Sequence, residues 1–152
     1  MMPGPVSRRV IVDRLGWVAE MVKEIDRLPL DDRDAFLADN RNVFTAKSCL
    51  RRAREALLDC GRHVLVKAFA IGATEYKEVA ARLGQTGVLS SDDTTRLRLM
   101  AGYRNRLVHF YHEVSHEELF DICTNHLADV IAVAAGIRNW MESHPELVDN
   151  SL

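Results

Sequence analysis

The chain has 152 residues, a formal net charge of −2 and a hydrophobic fraction of 47%. That length suits one domain, residues 1–152, with a single sizeable core. The near-neutral balance argues against an indiscriminate nucleic-acid binder, and the longest apolar run, Val130 to Ile137, is far short of a membrane span.

The opening MMPGPVSRR lacks the apolar core of a secretory signal, so a cytoplasmic location is expected. Ile11, Leu15, Val18, Val22 and Ile25 then follow three-four spacing, predicting a first amphipathic helix that ends near Pro29. A short helical turn is expected over Asp31 to Asp39. Ala46, Leu50, Ala53, Leu57, Cys60 and Val64 form the seam of a long second helix. Gly61 weakens that helix by about 1 kcal/mol relative to alanine without ending it, and Gly72 is positioned to close it. A short third helix follows Thr74 and stops at Gly84. The fourth begins near Ser91 to Asp93, residues that suit an N-cap and the positive helix end.

The fifth helix opens on a capping box, Ser115 and Glu118. It continues through Leu119, Ile122, Leu127, Val130, Val133, Ile137 and Trp140 to about Ser143, ahead of Pro145. No strand alternation competes. The expected fold is therefore all-α, an antiparallel bundle of four to five helices. The three cysteines, Cys49, Cys60 and Cys123, are an odd number scattered through helical pattern, and read as apolar packing residues in a reducing compartment. His126 falls in the apolar phase of the last helix and reads as a hydrogen-bonded core histidine; His63 has no partner that the sequence identifies.

The chemistry concentrates in Arg104 to Tyr111, RNRLVHFY, which sets out Arg-x4-His-x-Tyr. A guanidinium is a permanent planar fork suited to phosphate, and an imidazole exchanges a proton near neutral pH. Together they are a kit for cutting a phosphodiester without a metal. Five residues apart on an ideal helix, Arg104 and His109 would point roughly 140° apart, so the pair works best where the helix gives out near His109. In an extended connector from His109 to Val114, His109 and Tyr111 fall on one side. Asn105 either orients His109, binds phosphate, or is a surface polar group; Tyr103 and Phe110 read as packing residues. His109, His112 and His116 would share a face of one continuous helix and could bind zinc, but the Ser115 cap breaks that continuity, so no metal is expected.

Two segments are basic. Arg96 to His112 holds Arg96, Arg98, Arg104 and Arg106 and no acid; Arg41 to Arg54 holds Arg41, Lys47, Arg51, Arg52 and Arg54 and no acid. Each is either a solvated helix face or a surface for an RNA backbone, and the second suits an acidic partner equally well.

GYRNRLVHFYHEV resembles the signature segment of the HepT-like toxins, members of the HEPN superfamily of small helical ribonucleases. Arg104, Asn105 and His109 match the superfamily's Arg-x4-6-His, Tyr111 matches the tyrosine that narrows HEPN to HepT, and Leu97, Met100 and Gly87 to Leu89 match its approach. The resemblance implies an endoribonuclease with Arg104 and His109 as catalytic residues and Asn105 in support. Arg96, Arg98 and Arg106 would be RNA contacts. It also implies a homodimer that faces two motifs across one cleft, no cofactor, and a nucleotidyltransferase antitoxin of the MNT type that attaches AMP to Tyr111. The alternative is a non-catalytic bundle that binds a nucleotidyltransferase or a nucleotide.

Overall fold

The computed structural model describes residues 3–108 and 115–151. Helix α1 spans Arg8–Asp26, α2 Arg33–Ala38, α3 Asn40–Phe69, α4 Tyr76–Gln85, α5 Ser91–Val108, α6 His116–Asp121 and α7 Leu127–Ser143. The fold is all-α, as the periodicity requires. α1 packs lengthwise on α3, while α5 packs between α4 and α7. Every seam residue named for the first helix is buried: Ile11, Leu15, Val18, Val22 and Ile25. Phe36 anchors α2, fully buried, and meets the Phe120 ring edge-on at 5.2 Å. Burying one such ring contributes about 1.5–3 kcal/mol, enough to seat a six-residue helix that would not form alone.

Four details differ from the sequence reading. First, α3 is closed by Ala70 in the left-handed region (φ 54°), not by Gly72; the Ala70 amide donates to the Val66 carbonyl. Second, the side chain that caps α5 is Ser90, whose hydroxyl accepts from the Asp93 amide at 3.1 Å. Third, the last helix is interrupted: Ile122–His126 is a π-helical turn between α6 and α7. Its seam steps five residues from Ile122 to Leu127, which an α-helix would place about 140° out of phase. One extra residue in the turn returns Leu127 to the core, where Ile122 and Leu127 are both buried.

Fourth, there is a strand pair. β1, Val6–Ser7, runs parallel to β2, Val148–Asp149, in register Val6 to Val148. In addition, taken through its π-turn, His116–Ser143 is a 28-residue helix apolar enough by composition to cross a membrane, which the run-by-run reading overlooked. In the fold its seam faces the bundle, with Val130, Val133 and Ile137 buried.

Gly61 has a packing reason to sit inside α3. A Cβ there would meet Leu83 Cδ1 at 2.8 Å and Val79 Cγ1 at 3.1 Å, so its absence lets α4 approach α3 closely. The cysteines are free and buried, and burial pushes the thiols of Cys60 and Cys123 up to about 12.

His63 does find a partner. Its Nε2 accepts the amide of Ser7 at 2.9 Å, and Ser7 in turn caps α1 by accepting from Val10. Burial first, then the Lys67 charge, lowers its pKa from the ordinary histidine value. Since the folded state favours the neutral ring, this contribution is complete above the unfolded value near 6.5 and is lost as pH falls through the folded value. Thermal melts of the wild type and His63→Gln between pH 7.5 and 4.5 should show the wild type's advantage shrinking on acidification. A constant gap would exclude His63 as the titrating group.

Candidate functional site

The motif is built on α5. Its inward stripe is Leu97, Met100 and Ala101, all buried. Residue 104 follows Leu97 by seven positions and Met100 by four, so the backbone carries it in the same stripe.

Beneath that stretch lies a residue whose role the charge pattern concealed. Arg54, counted above with an exposed basic run, is fully buried on α3. Its Nη1 donates to the Met100 carbonyl at 3.2 Å. In an α-helix that carbonyl also accepts the amide of residue 104, so Arg54 braces the turn from which Arg104 springs. The signal was available: Arg54 continues the spacing of Leu50, Ala53 and Leu57 in the buried seam. Arg41, at the run's other end, is exposed and held by Asp39 at 2.8 Å, a contact that raises its pKa and lowers that of Asp39. Lys47, Arg51 and Arg52 remain as surface cations.

The other basic segment is also uneven. Arg96 is bound by Asp93 at 2.7 Å and lies 3.6 Å from Asp129 on α7, so much of its charge is neutralised locally. Arg98 is exposed, as is Leu99. His126 is not in the core. Its side chain is 36% exposed and stands between two carboxylates, Asp129 at 3.4 Å and Asp121 at 3.6 Å.

On the far side of the motif, the Ser115 hydroxyl accepts from the Glu118 amide at 3.1 Å and starts α6 with His116 in its first turn. His109, Phe110, Tyr111 and His112 lie outside the described residues, as do the side chains of Tyr103, Arg104, Asn105 and Arg106. The three-histidine zinc arrangement lies outside them too. Among the described residues, no three His, Cys, Asp or Glu side chains gather as metal ligands.

The described residues thus pack α5 and α6 against α3 and support α5 on a buried guanidinium. A helical bundle of this order is the HEPN fold. The chain belongs to the HepT-like ribonuclease family, whose model, described as Ribonuclease HepT-like, matches residues 18–137. It is 23% identical over 116 residues to the tRNA nuclease HepT of Aphanizomenon flos-aquae, covering 76% of this chain and 77% of that protein. A tri-AMPylated HEPN toxin of Shewanella oneidensis, solved in complex with its MNT antitoxin, superposes with a TM-score of 0.78 at 21% identity, covering 86% of this chain and 97% of that one. YutE of Bacillus subtilis, a cytosolic protein of unknown function, gives 0.78 at 19% identity over 95% and 96% of the two chains.

Proposed function

We propose that this protein is a cytoplasmic, metal-independent endoribonuclease, the toxin of a toxin–antitoxin pair. The observation that supports the reading is the match to a ribonuclease family over residues 18–137, in a chain whose motif begins on α5 one turn beyond a carbonyl held by buried Arg54.

In the reaction, the ribose 2′-oxygen attacks the adjacent phosphorus and the bond to the 5′-oxygen breaks. His109 takes the 2′-hydroxyl proton or supplies one to the departing 5′-oxygen. Arg104 stabilises the charge that gathers on the phosphoryl oxygens. The products are a 2′,3′-cyclic phosphate and a 5′-hydroxyl. A homodimer that faces two motifs would bring a second His109, so that one imidazole is the base and the other the acid. Asn105 supports His109, and Arg98 and Arg106 hold the RNA backbone. Arg96 contributes less, since Asp93 and Asp129 already hold its charge.

Control comes through Tyr111. A nucleotidyltransferase antitoxin transfers AMP from ATP to its phenolic oxygen and releases pyrophosphate. The added phosphate competes for Arg104 and the adenosine obstructs the cleft. Intact-mass measurement of the chain co-produced with its cognate transferase should show adenylate-sized increments that vanish in Tyr111→Phe. Unmodified wild type would remove this arm of the proposal.

The whole reading is tested by producing wild type, Arg104→Ala and His109→Ala alone in cells. Growth arrest with RNA fragmentation is expected for the wild type only. Stable RNA in all three, with tight binding to the transferase, would instead favour a non-catalytic partner module.

A further inference from the structure

α3 carries an exposed aromatic side chain that neither the core nor the motif accounts for. Phe44 is 66% exposed, more than Val12, Trp17, Leu99 or Ile131, the other large apolar side chains exposed among the described residues. With Lys47, Ser48 and Arg51 it lines a shallow hollow of about 190 Å³. Lys47 and Ser48 lie three and four residues beyond Phe44, and Arg51 four beyond Lys47, so the four form a single stripe along the helix.

The charge environment selects the occupant. Among the described residues, no carboxylate pairs with Lys47 or Arg51, and the sequence has no acid from Arg41 to Arg54. The hollow at Trp17, the other exposed aromatic among the described residues, is different: Glu55 and Asp59 line it beside Arg14 and Arg52, and their carboxylates would repel a phosphate. An exposed ring flanked by cations that no described carboxylate neutralises, with a hydroxyl beside them, is the combination that holds single-stranded nucleic acid, with a base stacked on the ring and the backbone on the cations.

The stripe also leads toward the motif. Lys47 precedes Arg54 by seven residues, two turns along the same side of α3, or roughly 10 Å of helix. Arg54 is the residue that reaches the Met100 carbonyl, one turn before Arg104. We propose that Phe44, Lys47, Ser48 and Arg51 form an accessory subsite for single-stranded RNA, gripping a nucleotide several positions from the scissile phosphate. The inference rests on the ribonuclease reading and adds to it a site outside the motif.

The test uses the full chain and a labelled single-stranded oligoribonucleotide, with binding measured by fluorescence anisotropy in a His109→Ala background. Phe44→Ala should weaken binding about 5- to 100-fold, the worth of one stacked base, and Phe44→Trp should restore it. Reversing two charges, in Lys47→Glu with Arg51→Glu, should lower the slope of affinity against salt by roughly 1.4, the share of two single-strand phosphates. In the active chain, Phe44→Ala should slow cleavage of the long RNA and leave a dinucleoside monophosphate, too short to reach α3, cleaved as before. A wild type that cuts the dinucleotide while Phe44→Ala binds long RNA normally overturns the subsite and spares the ribonuclease reading. A wild type that cuts and binds no RNA overturns both. Loss of transferase binding in Phe44→Ala with RNA affinity intact would also overturn the subsite and assign the stripe to the protein partner.

Discussion

Replacing His109 with alanine is expected to lower RNA cleavage by about 10²- to 10⁴-fold, the usual worth of a positioned general acid or base. Full loss is the expectation in cells, where growth arrest depends on sustained turnover. A homodimer sharpens this result. In the proposed dimer one substitution would remove both imidazoles from a shared cleft, so the proton donor and the acceptor would vanish together. Mixed dimers of wild-type and His109→Ala chains should then retain far less than half the wild-type rate. Rates near half would show that each motif works alone. Circular dichroism of the variant should match that of the wild type, so that the loss is one of chemistry and not of folding. Cleavage that persists at the wild-type rate would exclude the imidazole from the chemistry.

The second large effect is on stability. Arg54→Ala removes a fully buried side chain and its hydrogen bond to the Met100 carbonyl. Truncation in a packed interior leaves a cavity and lost contacts, worth about 2–4 kcal/mol. For a chain of this length that corresponds to a fall of roughly 5–15 °C in Tm. Arg54→Met keeps most of the stem's packing and should recover part of it. Measured well below the melting temperature, cleavage should fall in both variants, because the turn that presents Arg104 has lost its brace. A Tm change under about 1 °C for the alanine variant would place the Arg54 side chain in solvent instead. It would then belong with Arg51 and Arg52 after all.

Most of the fold was legible because it is written in helical period. The seams of α1 and α3 and the Ser115 cap emerge where spacing and capping chemistry place them. The resemblance to HEPN ribonucleases rested on the stretch from Gly87 to Val114, and the family match extends over residues 18–137. What escaped depends on distant contacts or on weighing one signal above another. Arg54 was grouped by charge when its register already placed it inward. The π-turn was visible as a five-residue step between Ile122 and Leu127, yet that step reads as a minor irregularity until both must reach the same core. Ala70 takes a conformation that alanine adopts only when neighbouring structure imposes it, at a cost of about 1–2 kcal/mol. No local rule announces that. The β1–β2 pair needs segments separated by nearly the whole chain to meet, which neither segment signals by itself. His126 was assigned by phase to the interior, but Asp121 and Asp129 draw it to the surface.

The buried thiols have a practical corollary. Cys49, Cys60 and Cys123 are all enclosed and burial raises each thiol, those of Cys60 and Cys123 to about 12, so at neutral pH they hold little thiolate for an alkylating reagent. A single cysteine engineered onto the outer face of α5 would therefore be the one reactive handle on the molecule. Spin labels or short cross-linkers attached there would report how far apart two neighbouring copies hold that helix, with no native cysteine to remove first.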